Sequence, residues 1–259
     1  MTAILSHVLP GGEAALAAYG GGVAVQAAGT ADPFDSGMWE DHRELYLGEP
    51  AAWRTDPAMR LLAPRSAEDA RHVPILVDAT GLGGPVERIV ITIDYSPFPL
   101  AMVFHPGRAL PLLGFGVKYE MAGPIRASAL VGGEWIMGGA FIDAMGGGCS
   151  APAVTHARSD WQDGFGEMRG RLWPDIGRLR ISLRHPMDTG LADGIPAHHL
   201  TDLTLTDAQG EEIARLEINE PLEENPALTF LLPPDLAAGP VGIVARDNSG
   251  YRFRGEVAA

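Results

Sequence analysis

Glycine and proline, at 33 and 21 of 259 residues, interrupt the chain at short intervals from end to end, and nothing else constrains its fold so strongly. Inside a helix each glycine costs about 1 kcal/mol and each proline about 3 relative to alanine. Long helices are therefore excluded, and short strands joined by turns are favoured. Between the interruptions, hydrophobicity alternates with period two. In Val86–Asp94, Ile89, Ile91 and Ile93 fall on one face while Arg88 and Thr92 fall on the other. Val73–Val77, Leu100–Phe104, Leu112–Tyr119 and Ile125–Val131 continue the series, and Glu134–Ala144 returns after the hairpin signal Gly132-Gly133.

A second series has the same character. Arg178–Arg184 alternates Leu179, Ile181 and Leu183 with arginines, and Leu200–Thr206, Glu212–Ile218, Leu228–Leu232, Val241–Asp247 and Tyr251–Val257 follow. Strands at this spacing predict an all-β chain of two immunoglobulin-like antiparallel β-sandwich domains. A short helix over Asp35–Leu47 precedes them, with Trp39 and Leu45 or Tyr46 on its apolar side. Between the two series, Ser150 to Pro174 shows no strand pattern, though Trp161, Phe165, Met168 and Leu172 recur at helical spacing. The predicted organisation is an N-terminal extension over 1–31, a sandwich over 32–149, a linker with a helix over 150–174 and a second sandwich over 175–259.

The 33 acidic side chains against 19 basic ones, of which only Lys118 is a lysine, leave a net charge of −14. Such a surface repels phosphate, which argues against nucleic-acid binding, and no apolar run reaches the length of a membrane span. Catalytic patterns are missing too. There is no Gly-x-Ser-x-Gly, no phosphate-binding or dinucleotide loop, no His-x-His and no His-Glu-x-x-His. His198 and His199 are neighbours, so on a strand they face opposite ways and cannot share a metal. The paired carboxylates Glu211-Glu212 and Glu223-Glu224 read as solvated faces. No enzyme, metal or cofactor site is predicted.

What remains is the single cysteine. Cys149 follows Gly146, Gly147 and Gly148 and precedes Ser150-Ala151-Pro152, all small, where a structural cysteine would have bulky neighbours. Three glycines after a strand would hold the thiol up to ~10 Å beyond the sheet edge. The bland alternative is a flexible glycine linker that happens to contain a cysteine. No cation lies within three positions, so nothing local activates the thiol, and an accessible, weakly activated thiol suits carrying a group better than turnover. The one histidine within ten residues, His156, gives little support for a nucleophilic enzyme. Residues Met1–Ala31 have no Lys or Arg and contain a small apolar stretch ending in Val-Gln-Ala-Ala, read either as a degenerate export signal or as a plain Ala/Gly tail.

These residues carry a resemblance. Gly146-Gly147-Gly148-Cys149 closing a β-domain resembles the glycine–cysteine arm of SoxY, the sulfur-carrier subunit of bacterial thiosulfate oxidation. His185-Pro186-Met187-Asp188-Thr189-Gly190-Leu191 resembles a signature of its partner SoxZ, and Ile195–Leu200, Asn225–Phe230 and Asp247–Gly250 are similar to later SoxZ segments. The order is SoxY then SoxZ, as in single-chain SoxYZ-like carriers associated with quinoprotein dehydrogenases. The resemblance implies a periplasmic, non-catalytic protein that bears a sulfur intermediate on Cys149, with Gly146–Gly148 as its arm and His185–Gly190 as a structural loop near the arm base. It implies partners among periplasmic redox enzymes, either Sox-type cytochromes and a hydrolase or a quinoprotein alcohol dehydrogenase served as an accessory module. An exposed thiol there would also pair two copies by a disulfide. This chain departs from the pattern in continuing past Cys149 into a second domain, so its arm is tethered at both ends.

Overall fold

The structure, a computed structural model, describes residues 28–48, 52–157 and 162–258. The export-like segment therefore lies outside the described residues, apart from its last few positions. The first half supplies β1 (Trp53–Thr55), β2 (Arg60–Leu62), β3 (Ser66–Ala67), β4 (Val73–Asp78), β5 (Val86–Ile93), β6 (Leu100–His105), β7 (Leu110–Val117), β8 (Gly123–Val131) and β9 (Glu134–Ala144). The second supplies β10 (Met168–Trp173), β11 (Arg178–Leu183), β12 (Leu200–Thr206), β13 (Glu212–Ile218), β14 (Ala227–Leu231), β15 (Val241–Asp247) and β16 (Arg252–Val257).

Two sheets result. One runs β1-β9-β8-β5-β6-β13-β12-β15-β16, with β3 also against β9; the other runs β10-β11-β14-β7-β4-β2. Pairing is antiparallel except where β1 and β3 lie parallel to β9. Each sheet passes from the first half into the second. β6 pairs β13 with Phe104 opposite Leu216, and β7 pairs β14 with Leu113 opposite Phe230. The inward side chains of both sheets make one core, in which the Phe104 and Phe230 rings meet edge-on at 6.1 Å. The sandwich character follows from alternation, but the joining of the halves strand to strand had no signal in either series.

Three local expectations are corrected. In the stretch read as strandless, Met168–Trp173 is an edge strand paired with β11, Leu172 opposite Leu179. Met168 and Leu172 therefore share a strand, not a helix; Phe165 lies in a turn and Trp161 outside the described residues. The arginines and glycine of Met-Arg-Gly-Arg-Leu-Trp mask its alternation. Among the described residues between β9 and β10 the one helical piece is a single 3-10 turn, Val154–Ala157. The N-terminal helix begins at Trp39, as α1 (Trp39–His42), and continues as a wider π-type turn over Arg43–Leu47. That widening turns Leu45 out to solvent and brings Leu47 in beside Trp39.

The N-terminal segment also explains why β5 is buried on both faces although only one face reads apolar. Trp39 and Leu47 cover Val90, Trp135 and Met137 on the outer side. Arg126 of β8, fully buried, fastens the segment. Its guanidinium lies 4.9 Å from the Phe34 ring centre and 4.8 Å from that of Trp39, and it donates to Asp94 and Asp32. Burial opposes the charge on Asp94, yet His42, 3.7 Å away, and the hydrogen bonds from Arg126 hold its carboxyl down at about 2.

Candidate functional site: a cysteine seated between the halves

β9 ends at Ala144, and Met145 stands out in solvent before the chain turns back through Gly146 and Gly147, whose φ angles are 88° and 75°. These left-handed conformations are the ones glycine adopts freely. The turn lays the chain against Tyr119 and Glu120: Gly147 N–H donates to Glu120 O at 3.0 Å and Gly148 N–H to Tyr119 O at 2.8 Å. At Gly148 a Cβ would fall 2.1 Å from Ala70 O and 2.7 Å from Tyr119 O, so only glycine fits.

The consequence reverses the expectation of an extended arm. Cys149 is fully buried. The glycines fold the chain inward by close backbone approach instead of holding it away from the sheet. The sulfur sits 3.7 Å from Lys118 O. Burial, and after it the charge of Glu120, raise the thiol to about 11, against smaller opposing effects from Lys118 and a hydrogen bond with Ser96. A thiol in this seat cannot form a disulfide with a second copy.

Two groups hold the seat closed. The Glu120 carboxylate accepts the Cys149 amide at 3.1 Å, the Ser150 amide at 3.0 Å and the Ser150 hydroxyl at 2.9 Å. From the second half, Thr189 Oγ1 donates to Cys149 O at 2.5 Å. The signature-like segment thus touches the cysteine directly. Lys118, the only lysine, is buried beside it and donates from Nζ to Met187 O. Burial lowers its pKa, opposed by the charges of Cys149, Asp188 and Glu224. Asp188 accepts from the Ala153 amide at 3.4 Å and lies 2.6 Å from His156 Nε2, while Glu224 accepts the amides of Val154 and Thr155. At Gly190, whose φ is 83°, a Cβ would fall 3.1 Å from Ala197, and Pro186 is buried. The peptide following Cys149 is therefore bound at both of its ends.

His185 points away from the cysteine. Its Nε2 lies 3.4 Å and that of His198 lies 3.0 Å from Asp247 Oδ2, and the three ligand-type atoms are mutually within 4.8 Å. This trio was not legible in the sequence, because its members are contributed from positions 185, 198 and 247. His185 Nδ1 accepts the Met187 amide at 3.1 Å, so Nε2 carries the ring proton and donates it to Asp247. That proton occupies the position a metal ligand would need free, and the trio is a hydrogen-bonded brace. Burial, then the charge of His198, lower His185 to about 4. Burial works against the Asp247 charge, but hydrogen bonds from His198, the Tyr251 amide and His185 leave its carboxyl below the usual range.

Fold and site define an all-β protein of two strand-joined sandwiches with one thiol sealed at their junction. Residues 43–149 match the family described as sulfur oxidation protein SoxY, and residues 171–258 match sulphur oxidation protein SoxZ. Together these spans exceed half of the chain, which belongs to the SoxY–SoxZ sulfur-oxidation family, with both domains in one polypeptide. Among solved structures it is similar to the sulfur carrier protein SoxY from Chlorobium limicola f thiosulfatophilum, at 16% identity and a TM-score of 0.38, over 42% of this chain and 97% of that one. No curated protein matches it. Among the described residues no helix is long and apolar enough to cross a membrane.

Proposed function

We propose that this chain is a periplasmic carrier which bears a sulfur group covalently on Cys149 and presents it to partner redox enzymes, without catalysing a reaction itself. The observation that carries this reading is that the SoxY match ends on Cys149, the chain's only cysteine. The SoxZ half contributes Thr189 to hold that residue, which gives the second domain a role at the attachment point.

Loading is a two-electron step. The thiol releases its proton to solvent, the sulfur forms an S–S bond to an incoming sulfur anion, and two electrons pass to a partner redox enzyme that serves as oxidant. The seated thiol, raised to about 11, does not undergo this step in place. The Gly146–Ser150 loop first swings out, and because it is anchored at both ends it presents the thiol as a loop, not as a free tail. Gly146 and Gly147 supply the backbone freedom for the swing, and His185–Gly190 forms the base from which the loop leaves.

The test is intact-mass spectrometry of the protein recovered from its native compartment, before and after reductant. A reductant-removable adduct on Cys149, in sulfur or sulfur-oxide increments, is the expected result. Full support of sulfur-compound oxidation by Cys149→Ser would refute the reading.

A further inference from the structure

The outer face of the β10–β11 hairpin is a strongly basic surface that the cysteine site does not use. Cross-strand register places Trp173 opposite Arg178, Arg171 opposite Arg180 and Arg169 opposite Ser182, with Leu172, Leu179, Ile181 and Leu183 facing the core. Arg184 continues the same side of β11. Five arginines therefore share one face in a chain whose net charge is −14.

Trp173 braces the row: the Arg178 guanidinium lies 3.9 Å and that of Arg171 4.9 Å from its ring centre. The neighbouring carboxylates neutralise it only in part: Glu167 forms its ion pair with Arg169, and Glu223 lies against His72 while its charge also acts on Arg180. Among the described residues Arg171, Arg180 and Arg184 form no ion pair. Crowding shows on Arg178, whose pKa is lowered by burial and then by the charges of Arg180 and Arg171. Two shallow depressions adjoin on this face, sharing Arg169 and Ser182; one reaches Arg184 and Asn225, the other Arg171, Trp173 and Arg180.

We infer that this arginine–tryptophan face is a docking surface for the acidic surface of a partner protein. From Arg178 to Arg184 the row extends about 20 Å along the strand, longer than any single small anion and matched to a line of carboxylates. Guanidinium groups in an open row pair with carboxylates bidentately and steer an oppositely charged surface into register. Arg184 is separated from Thr189 by five residues, at most about 18 Å of extended chain, so a partner seated here lies close to the cysteine loop.

Binding of a fluorescent acidic dodecapeptide to the full chain, followed by anisotropy, tests this. Arg171→Ala, Arg180→Ala and Arg184→Ala combined are expected to weaken binding at least about tenfold, and added salt to weaken it further. Arg252→Ala with Arg254→Ala, on the exposed side of β16, is expected to change it less than about twofold. Arg184→Gln alone, which leaves the Trp173 stack intact, is expected to weaken binding about threefold even should the triple variant misfold. Cys149→Ser is expected to bind as the wild type, so failure of the covalent-carrier reading and failure of this one are separable. Equal binding by the triple and Arg184→Gln variants would overturn the inference. So would displacement of the peptide by equivalent sulfate, tighter binding of a DNA oligonucleotide, or self-association that the triple variant abolishes.

Discussion

The sealed cysteine makes a quantitative claim about reactivity. At pH 8 a thiol at the ordinary value of 9.0 is about 10% thiolate, whereas one raised to about 11 is about 0.1%, so alkylation in place is slowed about 100-fold. The alternative route is through opening of the loop. That breaks the three hydrogen bonds to Glu120 and the one from Thr189, each worth about 1 kcal/mol net, for on the order of 4 kcal/mol and a retardation near 1,000-fold. Because the sulfur is fully buried, the reagent reaches it only through the opened loop, and two orders of magnitude is the floor. Iodoacetamide labelling of the folded chain at pH 8, read by intact mass against the urea-unfolded chain, measures it. Glu120→Ala removes three of the four bonds and is expected to accelerate labelling of the folded protein at least about tenfold, and Thr189→Val about fivefold. Labelling of the wild type within about threefold of the unfolded rate would refute the seated thiol and the latch together.

Gly148→Ala places a Cβ against two backbone carbonyls and is expected to cost about 1–3 kcal/mol by urea denaturation, while also speeding Cys149 labelling because the loop cannot close. Arg126→Leu strands Asp94 and Asp32 without their counter-ion and is expected to cost about 3–5 kcal/mol, with loss of the N-terminal helix seen as Trp39 becoming accessible to quenchers. For His185 the folded pKa of about 4 lies below the ordinary 6.5, so the unfolded chain binds the proton more readily. Its contribution, about 3 kcal/mol, is complete above pH 6.5 and is lost as pH falls towards 4; His185→Phe is expected to flatten the fall in melting temperature across that window.

Period-two alternation was enough to place most strands, because a strand buried on one face must repeat every second residue. It failed at Met168–Trp173, where arginines alternate with an exposed Gly170 in place of a buried apolar residue, so no contrast in hydrophobicity marked the edge. The lone cysteine and its glycines singled out the site, since no other residue type in the chain occurs once among such small neighbours. What they do there was decided by tertiary structure. Glycine permits both an extended arm and a tight inward turn, and the sequence alone gives no preference between them. The choice fell to Ala70 O and Tyr119 O, which lie where a side chain at 148 would be, and to Glu120 and Thr189, which bind the peptide groups around the thiol. The chain order thus determined an all-β protein with one thiol at the end of its first half. Only tertiary packing determined that the thiol is sealed, because the groups that bind around it stand 29 residues before it in the first half and 40 residues after it in the second.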